Sequence, residues 1–223
     1  MYRKTALSIG ETYHLYNRGV EKRQIFIDTQ DYERFLKLLF FCNSENKVEL
    51  RDLSDITFSD FLNERGKNIV NIEAFCLMPN HFHILIKEIE DGGISIFMKK
   101  VSTAYSMYFN KKNNRSGALF GGTFKSSHAK SNEYLRYLFS YIHLNPAKLL
   151  DPEWKNNIKT NRENLYRFCE EYRYSSFQDY ISNKNKRDIS HILTKNQYIE
   201  NSDNKNTINT DVIEWLNFDQ SQG

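Results

Sequence analysis

Cysteine, proline and long apolar runs are all scarce in this chain, and each shortage removes a class of protein. The three cysteines, Cys42, Cys76 and Cys169, lie far apart with no CxxC pairing, so neither a disulfide framework nor a thiolate zinc site is suggested. No apolar run approaches the length that crosses a bilayer, so no membrane partner is expected. The start, MYRKTALSIGETYHLYN, lacks the apolar centre of a secretory signal, and a cytoplasmic location is expected. Proline occurs three times, and both Pro79 and Pro146 fall where a regular pattern breaks off. The two tryptophans, Trp154 and Trp215, point to nothing by themselves.

Aromatic residues are abundant. With 16 Phe and 14 Tyr among 223 residues and 39% hydrophobic content, the chain can bury a real core, in one domain with elaborations or one domain with a tail. The net charge of +3 is small, but it is unevenly spread. Between Gly93 and Leu150 stand nine bases (Lys99, Lys100, Lys111, Lys112, Arg115, Lys125, Lys130, Arg136, Lys148) and one acid, Glu133. That segment therefore carries +8, leaving −5 for the rest of the chain. A basic block in an otherwise acidic chain suits a polyanionic partner, and equally a solvated helix face.

The pattern predicts a strand over Thr12 to Arg18, ended by Gly19, and a helix over Asp31 to Cys42 behind an acidic first turn. The polar stretch 43–68, with a short amphipathic piece around Phe58, Phe61 and Leu62, reads as an insertion. Ile69 to Leu77 and His81 to Lys87 are predicted to form a hairpin about Met78-Pro79-Asn80. Ile94 to Asn110 is an amphipathic helix, Thr123 to Ala129 a strand, and Asn132 to His143 a helix with Asn132 as its expected cap. This order of elements predicts an α+β fold, a ferredoxin-like split βαβ antiparallel sheet with helices packed on one face. The domain is expected over 1–180, including the 43–68 insertion. A polar, partly disordered extension is expected over 181–223, loose to Asp211 with a short terminal helix from Val212 to Phe218. No internal repeat is found.

Two constellations carry chemistry. His81 and His83 are two apart on a predicted strand, so both imidazoles project from one face beside Leu85, while Phe82, Ile84 and Ile86 face a core. Such a pair can chelate a divalent ion once another element brings a third ligand, or can simply be two satisfied polar residues. Tyr141 and Asn145 are one helical turn apart on one face of the last core helix, whereas His143 points elsewhere. A phenol with a pKa near about 10 is a poor nucleophile until a metal or a base assists it. By itself Tyr141 reads as readily as a core tyrosine beside Tyr134, Tyr137 and Phe139.

Taken together, YHLYNRG (Tyr13 to Gly19), FCLMPNHFHIL (Phe75 to Leu85), FMKKVSTAYSMYFNKK (Phe97 to Lys112), GALFGGTFKS (Gly117 to Ser126), YLRYLFSYIHLNPAK (Tyr134 to Lys148) and YRYSSFQDY (Tyr172 to Tyr180) resemble the single-tyrosine HUH transposases. These are the IS200-like enzymes, and the wording is most similar to the branch of REP-associated tyrosine transposases. The resemblance implies that His81 and His83 bind Mg²⁺ or Mn²⁺, that Asn145 adds a ligand, and that Tyr141 is the nucleophile. It implies a single-stranded or hairpin DNA substrate and a 5′-phosphotyrosine intermediate. Arg18 (in the NRG block), Lys125 (in GTFKS) and Lys99, Lys100, Lys111 and Lys112 become candidate DNA contacts. Both monomers and dimers occur in the family, so a homodimer is among the expected forms. His14 and His191 read as structural or surface residues. The competing readings are a HUH replication initiator or relaxase, a domesticated DNA-binding protein that does not cleave, and an unrelated metal hydrolase.

Overall fold

The computed structural model describes residues 6–46, 57–59, 62, 66–157, 161–181, 187–194 and 205–217. Most of the predicted insertion, including Phe61, and much of the C-terminal extension lie outside these residues. Phe58 is described, and it is buried against Phe40 and Phe41.

Four strands form one antiparallel sheet: β1 (Thr12–Arg18), β2 (Val70–Met78), β3 (His81–Glu88) and β4 (Lys125–His128), in the order β2-β3-β1-β4. That is the predicted ferredoxin-like arrangement. Two helices, α1 (Thr29–Phe41) and α2 (Gly93–Lys112), connect β1 to β2 and β3 to β4. Both cover one face of the sheet, where Leu15, Phe75, Leu77, Phe82, Ile84 and Ile86 meet Phe35, Leu39, Phe97, Val101 and Tyr105 in one core. Alternation along the strands supplies this face, as expected.

The other face is also covered, which the expectation of helices on one side did not include. Helix α3 (Asn132–His143), the short α4 (Ala147–Leu150), α5 (Arg162–Glu171), α6 (Phe177–Ile181) and α7 (Lys205–Asn217) pack there over Ala74, Cys76, Met78 and Leu85. The reason lies in the edge strand β2, which is apolar on both sides, and in Leu85 of β3. A bulge between Ile72 and Ala74 resets the alternation of β2, turning Ala74, Cys76 and Met78 toward this second core.

Capping side chains fix the helix starts. Asp28 accepts from the Asp31 backbone N–H at 3.1 Å to begin α1, and Ser131, not Asn132, accepts from Tyr134 N–H at 3.1 Å to begin α3. Ser131 has the extended backbone that a cap requires, whereas Asn132 is already helical. At the start of α2, a Cβ on Gly93 would lie 2.5 Å from the Ile69 carbonyl oxygen, so only glycine lets β2 and α2 approach this closely. Helix α7 is longer than the predicted terminal helix and begins at Lys205. Among the described residues no helix is long and apolar enough to cross a membrane.

Candidate active site

The pairing register assembles the site. Tyr16 of β1 stands opposite His83 of β3 and Lys125 of β4, and Arg18 stands opposite His81. Cross-strand partners share a face, so Arg18, Tyr16, His14, His81, His83 and Lys125 all belong to the side of the sheet on which α3 packs. Tyr141 reaches this group from α3. Its ring centroid is 5.5 Å from that of His83 and 5.8 Å from that of His14, edge-on to both. The histidine pair and the tyrosine that the sequence singled out are therefore neighbours, although 58 positions separate His83 from Tyr141.

Each histidine of the pair uses one ring nitrogen for support. His81 Nδ1 lies 2.6 Å from Asn80 Oδ1, and the amide oxygen accepts, so Nδ1 carries the proton and Nε2 a lone pair. His83 Nδ1 lies 2.8 Å from His14 Nε2. When His83 donates in that contact, its Nε2 also presents a lone pair. That Nε2 is buried and has no hydrogen-bond partner. The two rings are 4.9 Å apart at 89°. Asn145 follows the end of α3 and is 2% exposed. Its amide nitrogen donates to the Tyr141 carbonyl at 2.8 Å, while its Oδ1 is buried without a partner. His143 points away, as expected, with Nε2 2.8 Å from Ser176 Oγ.

Of these atoms, His83 Nε2 and Asn145 Oδ1 are buried without partners, and His81 Nε2 carries a lone pair. Two imidazole nitrogens and an amide oxygen fit a divalent ion of Mn²⁺ type, and Mg²⁺ less well because it prefers an all-oxygen shell. Among the described residues no three His, Cys, Asp or Glu side chains cluster as metal ligands, and Asn145 Oδ1 is a candidate for a further donor of another kind.

The electrostatics favour neutral ligands and an anionic partner. Burial, then Arg18 and Lys148, lowers the His81 pKa to about 4. Burial, then His14, His81 and Lys148, holds His83 well below the usual range, and burial lowers His14 to about 4. Burial raises the Tyr141 phenol above its ordinary value, with Asn145 acting in the opposite direction. Lys148 and Lys155 flank the tyrosine, their ammonium groups 5.8 and 6.0 Å from its ring centre.

The basic residues divide by face. Arg18 and Lys125 stand on the site's side of the sheet. Lys99, Lys100, Lys111 and Lys112 belong to α2, across the sheet from it. Two of these four also serve the fold: Lys100 donates to the Ser44 carbonyl at 3.1 Å, and Lys112 pairs with Asp28 at 2.8 Å and the buried Asp31 at 2.7 Å. His14, Tyr16, Lys148 and Lys155 were not singled out from the sequence. The only signal for the first two was their parity on β1, which needs the β1–β3 register to become informative.

The protein is thus an α+β chain whose antiparallel sheet sets an imidazole pair against a helix-borne tyrosine, with Arg18, Lys125, Lys148 and Lys155 nearby. The chain belongs to the family described as transposase IS200-like, whose model matches residues 10–145, a span that includes His81, His83, Tyr141 and Asn145. The protein is thus of a transposase family. Comparison with curated proteins gives no match. Among solved structures, one described as the REP-associated tyrosine transposase bound to a REP hairpin is similar at 13% identity and a TM-score of 0.49, covering 80% of this chain and 83% of the other.

Proposed function

We propose that the protein nicks and rejoins single-stranded DNA through Tyr141, with Mg²⁺ or Mn²⁺ held by His81, His83 and Asn145. The observation that carries this reading is the contact of Tyr141 with His83, one of a histidine pair whose Nδ1 atoms are engaged, while His83 Nε2 is buried without a partner. A metal bound there would neutralise charge on a non-bridging phosphate oxygen. The Tyr141 phenol oxygen attacks phosphorus in line. The bond from phosphorus to the 3′-oxygen breaks, the phenol gives up its proton and the departing 3′-oxygen takes one up. The products are a 5′-phosphotyrosine and a free 3′-hydroxyl. No phosphodiester energy is lost, so a 3′-hydroxyl from another strand reverses the step and completes a transfer. Lys148 and Lys155 hold the phosphate at the tyrosine, and Arg18 and Lys125 guide the backbone across the sheet. Because Tyr141 sits half-buried on a helix, its target phosphate must leave a regular duplex, which favours single strands beside a hairpin.

The test uses labelled single-stranded DNA carrying an imperfect hairpin, incubated with Mn²⁺ or Mg²⁺ and resolved on a denaturing gel. A covalent protein–DNA adduct is expected with the native chain and none with Tyr141→Phe. An adduct that survives the substitution would refute the nucleophile, and cleavage with no adduct would favour a metal hydrolase.

A further inference from the structure

Forming a phosphotyrosine at Tyr141 releases the phenol hydrogen, and the groups around the ring differ in whether they can accept it. The imidazoles are committed. His14 and His83 share one contact, His81 Nδ1 is engaged by Asn80, and the Nε2 atoms of His81 and His83 are the metal donors proposed above. Asn145 offers no basic nitrogen, and a guanidinium such as that of Arg18 does not give up its proton. Two amines remain beside the ring, Lys148 and Lys155, which line one narrow cleft with Tyr141, Asn145, Trp154 and Trp215.

The two lysines are held differently. Lys148 is exposed on α4, whereas Lys155 is half-buried in the turn that follows it. Asp151 organises that turn, accepting from the Glu153 N–H at 3.0 Å and from the Asn157 side-chain amide at 3.1 Å. Arg162 of α5 donates to the Trp154 carbonyl at 2.6 Å, and the buried indole lies 5.6 Å from Lys155 Nζ. The charged groups that α4 and α5 bring to this turn, Lys148 and Arg162, are both basic. Among the described residues no carboxylate forms an ion pair with Lys155. Burial, then Lys148, lowers the pKa of Lys155 and so favours its free amine, while burial raises that of the Tyr141 phenol. Partly buried lysines of this kind are the ones that serve as bases.

We propose that Lys155 takes the Tyr141 proton when the strand is nicked and returns it when the strand is rejoined, a role that rests on the nicking reading above. As the Tyr141 oxygen bonds to phosphorus, its hydrogen passes to the lone pair of Lys155 Nζ. The bond from phosphorus to the 3′-oxygen breaks, and that oxygen takes a proton from solvent. The new ammonium then stands beside the phosphotyrosine and pairs with its charge. In the reverse step it protonates the departing phenol oxygen, while the incoming 3′-hydroxyl gives its proton to solvent. Nζ lies 6.0 Å from the Tyr141 ring centre, and no hydrogen bond joins the two groups in the free protein. The flexible four-carbon stem of a lysine closes a gap of this size, and catalytic contacts often tighten only with substrate bound.

Lys155→Arg separates charge from basicity, because a guanidinium can hold a phosphate but does not accept a proton. With the full chain, Mn²⁺ and the hairpin-bearing strand, its rate of adduct formation should fall roughly 10²- to 10⁴-fold, the usual contribution of a general base. Anisotropy of the labelled strand in EDTA should show the same affinity as for the native chain. Lys155→Ala should lose rate similarly and recover it with added methylamine, in step with the unprotonated amine present as pH is raised. Tetramethylammonium, which has the charge without the base, should restore nothing. An arginine variant that forms the adduct at the native rate would make Lys155 a phosphate contact only and overturn the proposal. Failure of methylamine to restore the alanine variant would overturn it too, leaving Lys155 a structural part of the turn. In both cases the adduct formed by the native chain keeps the nicking reading standing, whereas a native chain that forms no adduct removes both.

Discussion

His83 gives one ring nitrogen to His14 and leaves the other bare, and one shared proton decides whether it can act as a ligand. With the proton on His83 Nδ1, His14 Nε2 must accept it, at 2.8 Å, and His14 then carries its own proton on Nδ1. Partners of this kind typically alter metal affinity by about 10–100-fold. His14→Phe, which keeps the ring and loses the acceptor, is therefore expected to weaken Mn²⁺ binding by about that factor in calorimetry. His14→Gln, whose amide oxygen still accepts, should recover most of it. Equal affinity in all three proteins would mean that His14 only packs. Lys148 acts with the opposite sign. Its charge lowers the pKa of both imidazoles and so also opposes a metal cation, while it favours a phosphate. Lys148→Ala should tighten Mn²⁺ binding to the free protein and weaken binding of single-stranded DNA. If both affinities fall together, Lys148 supports the fold rather than balancing the two ligands.

Among the elements, the sheet separates basic residues that the chain brings close in sequence. Lys125 stands on the site's face, while Lys99 and Lys111 project from α2, which packs on the opposite face. A phosphate contact adds about one counterion to the salt dependence of DNA binding. Lys125→Ala should lower the slope of log affinity against log salt by about 0.7 for a single strand, and Lys99→Ala and Lys111→Ala should leave it unchanged. Lys112→Ala should instead lower stability by about 1–3 kcal/mol in urea unfolding, because it removes a charged partner of the fully buried Asp31. A slope that falls for the α2 lysines and not for Lys125 would place DNA on the wrong side of the sheet for Tyr141.

This division also marks what the sequence could disclose. The strands β1 and β3 and the shared face of His81 and His83 were legible because strand alternation is a local property with period two. The bounds of α3 were legible but its cap was misplaced by one residue, since Ser131 and Asn132 are both good caps and only the backbone distinguishes them. The role of His14 was hidden, because it depends on a register between strands about 70 positions apart, which no local pattern records. Charge left α2 undecided for a related reason: a lysine run suits a solvated helix face as well as a polyanion, and does not tell which side of the sheet the helix covers.

At the scale of the whole molecule, the question is whether α7 is an appendage or part of the core. Its sequence, KNTINTDVIEWLN, has a weak intrinsic bias to helix in its first half, so a short terminal helix was all that propensity predicted. Tertiary contacts make up the difference. Ile208, Val212 and Leu216 are buried in the second core with Leu135 and Leu138 of α3, and Asp211 pairs with Arg136. The same packing that completes this core also carries Trp215 to the cleft beside Tyr141, so removing helix contacts should affect stability and site together. Leu216→Ala should cost about 2–5 kcal/mol, the usual range for emptying a buried leucine site. Because α7 shares its core with α3, the loss should appear as one transition at lower urea, coincident by far-UV circular dichroism and tryptophan emission. An appendage would behave differently: the emission would change first, and the main transition would stay at its native midpoint. That outcome would detach α7 from the catalytic body and leave Trp215 without a rigid support beside the tyrosine.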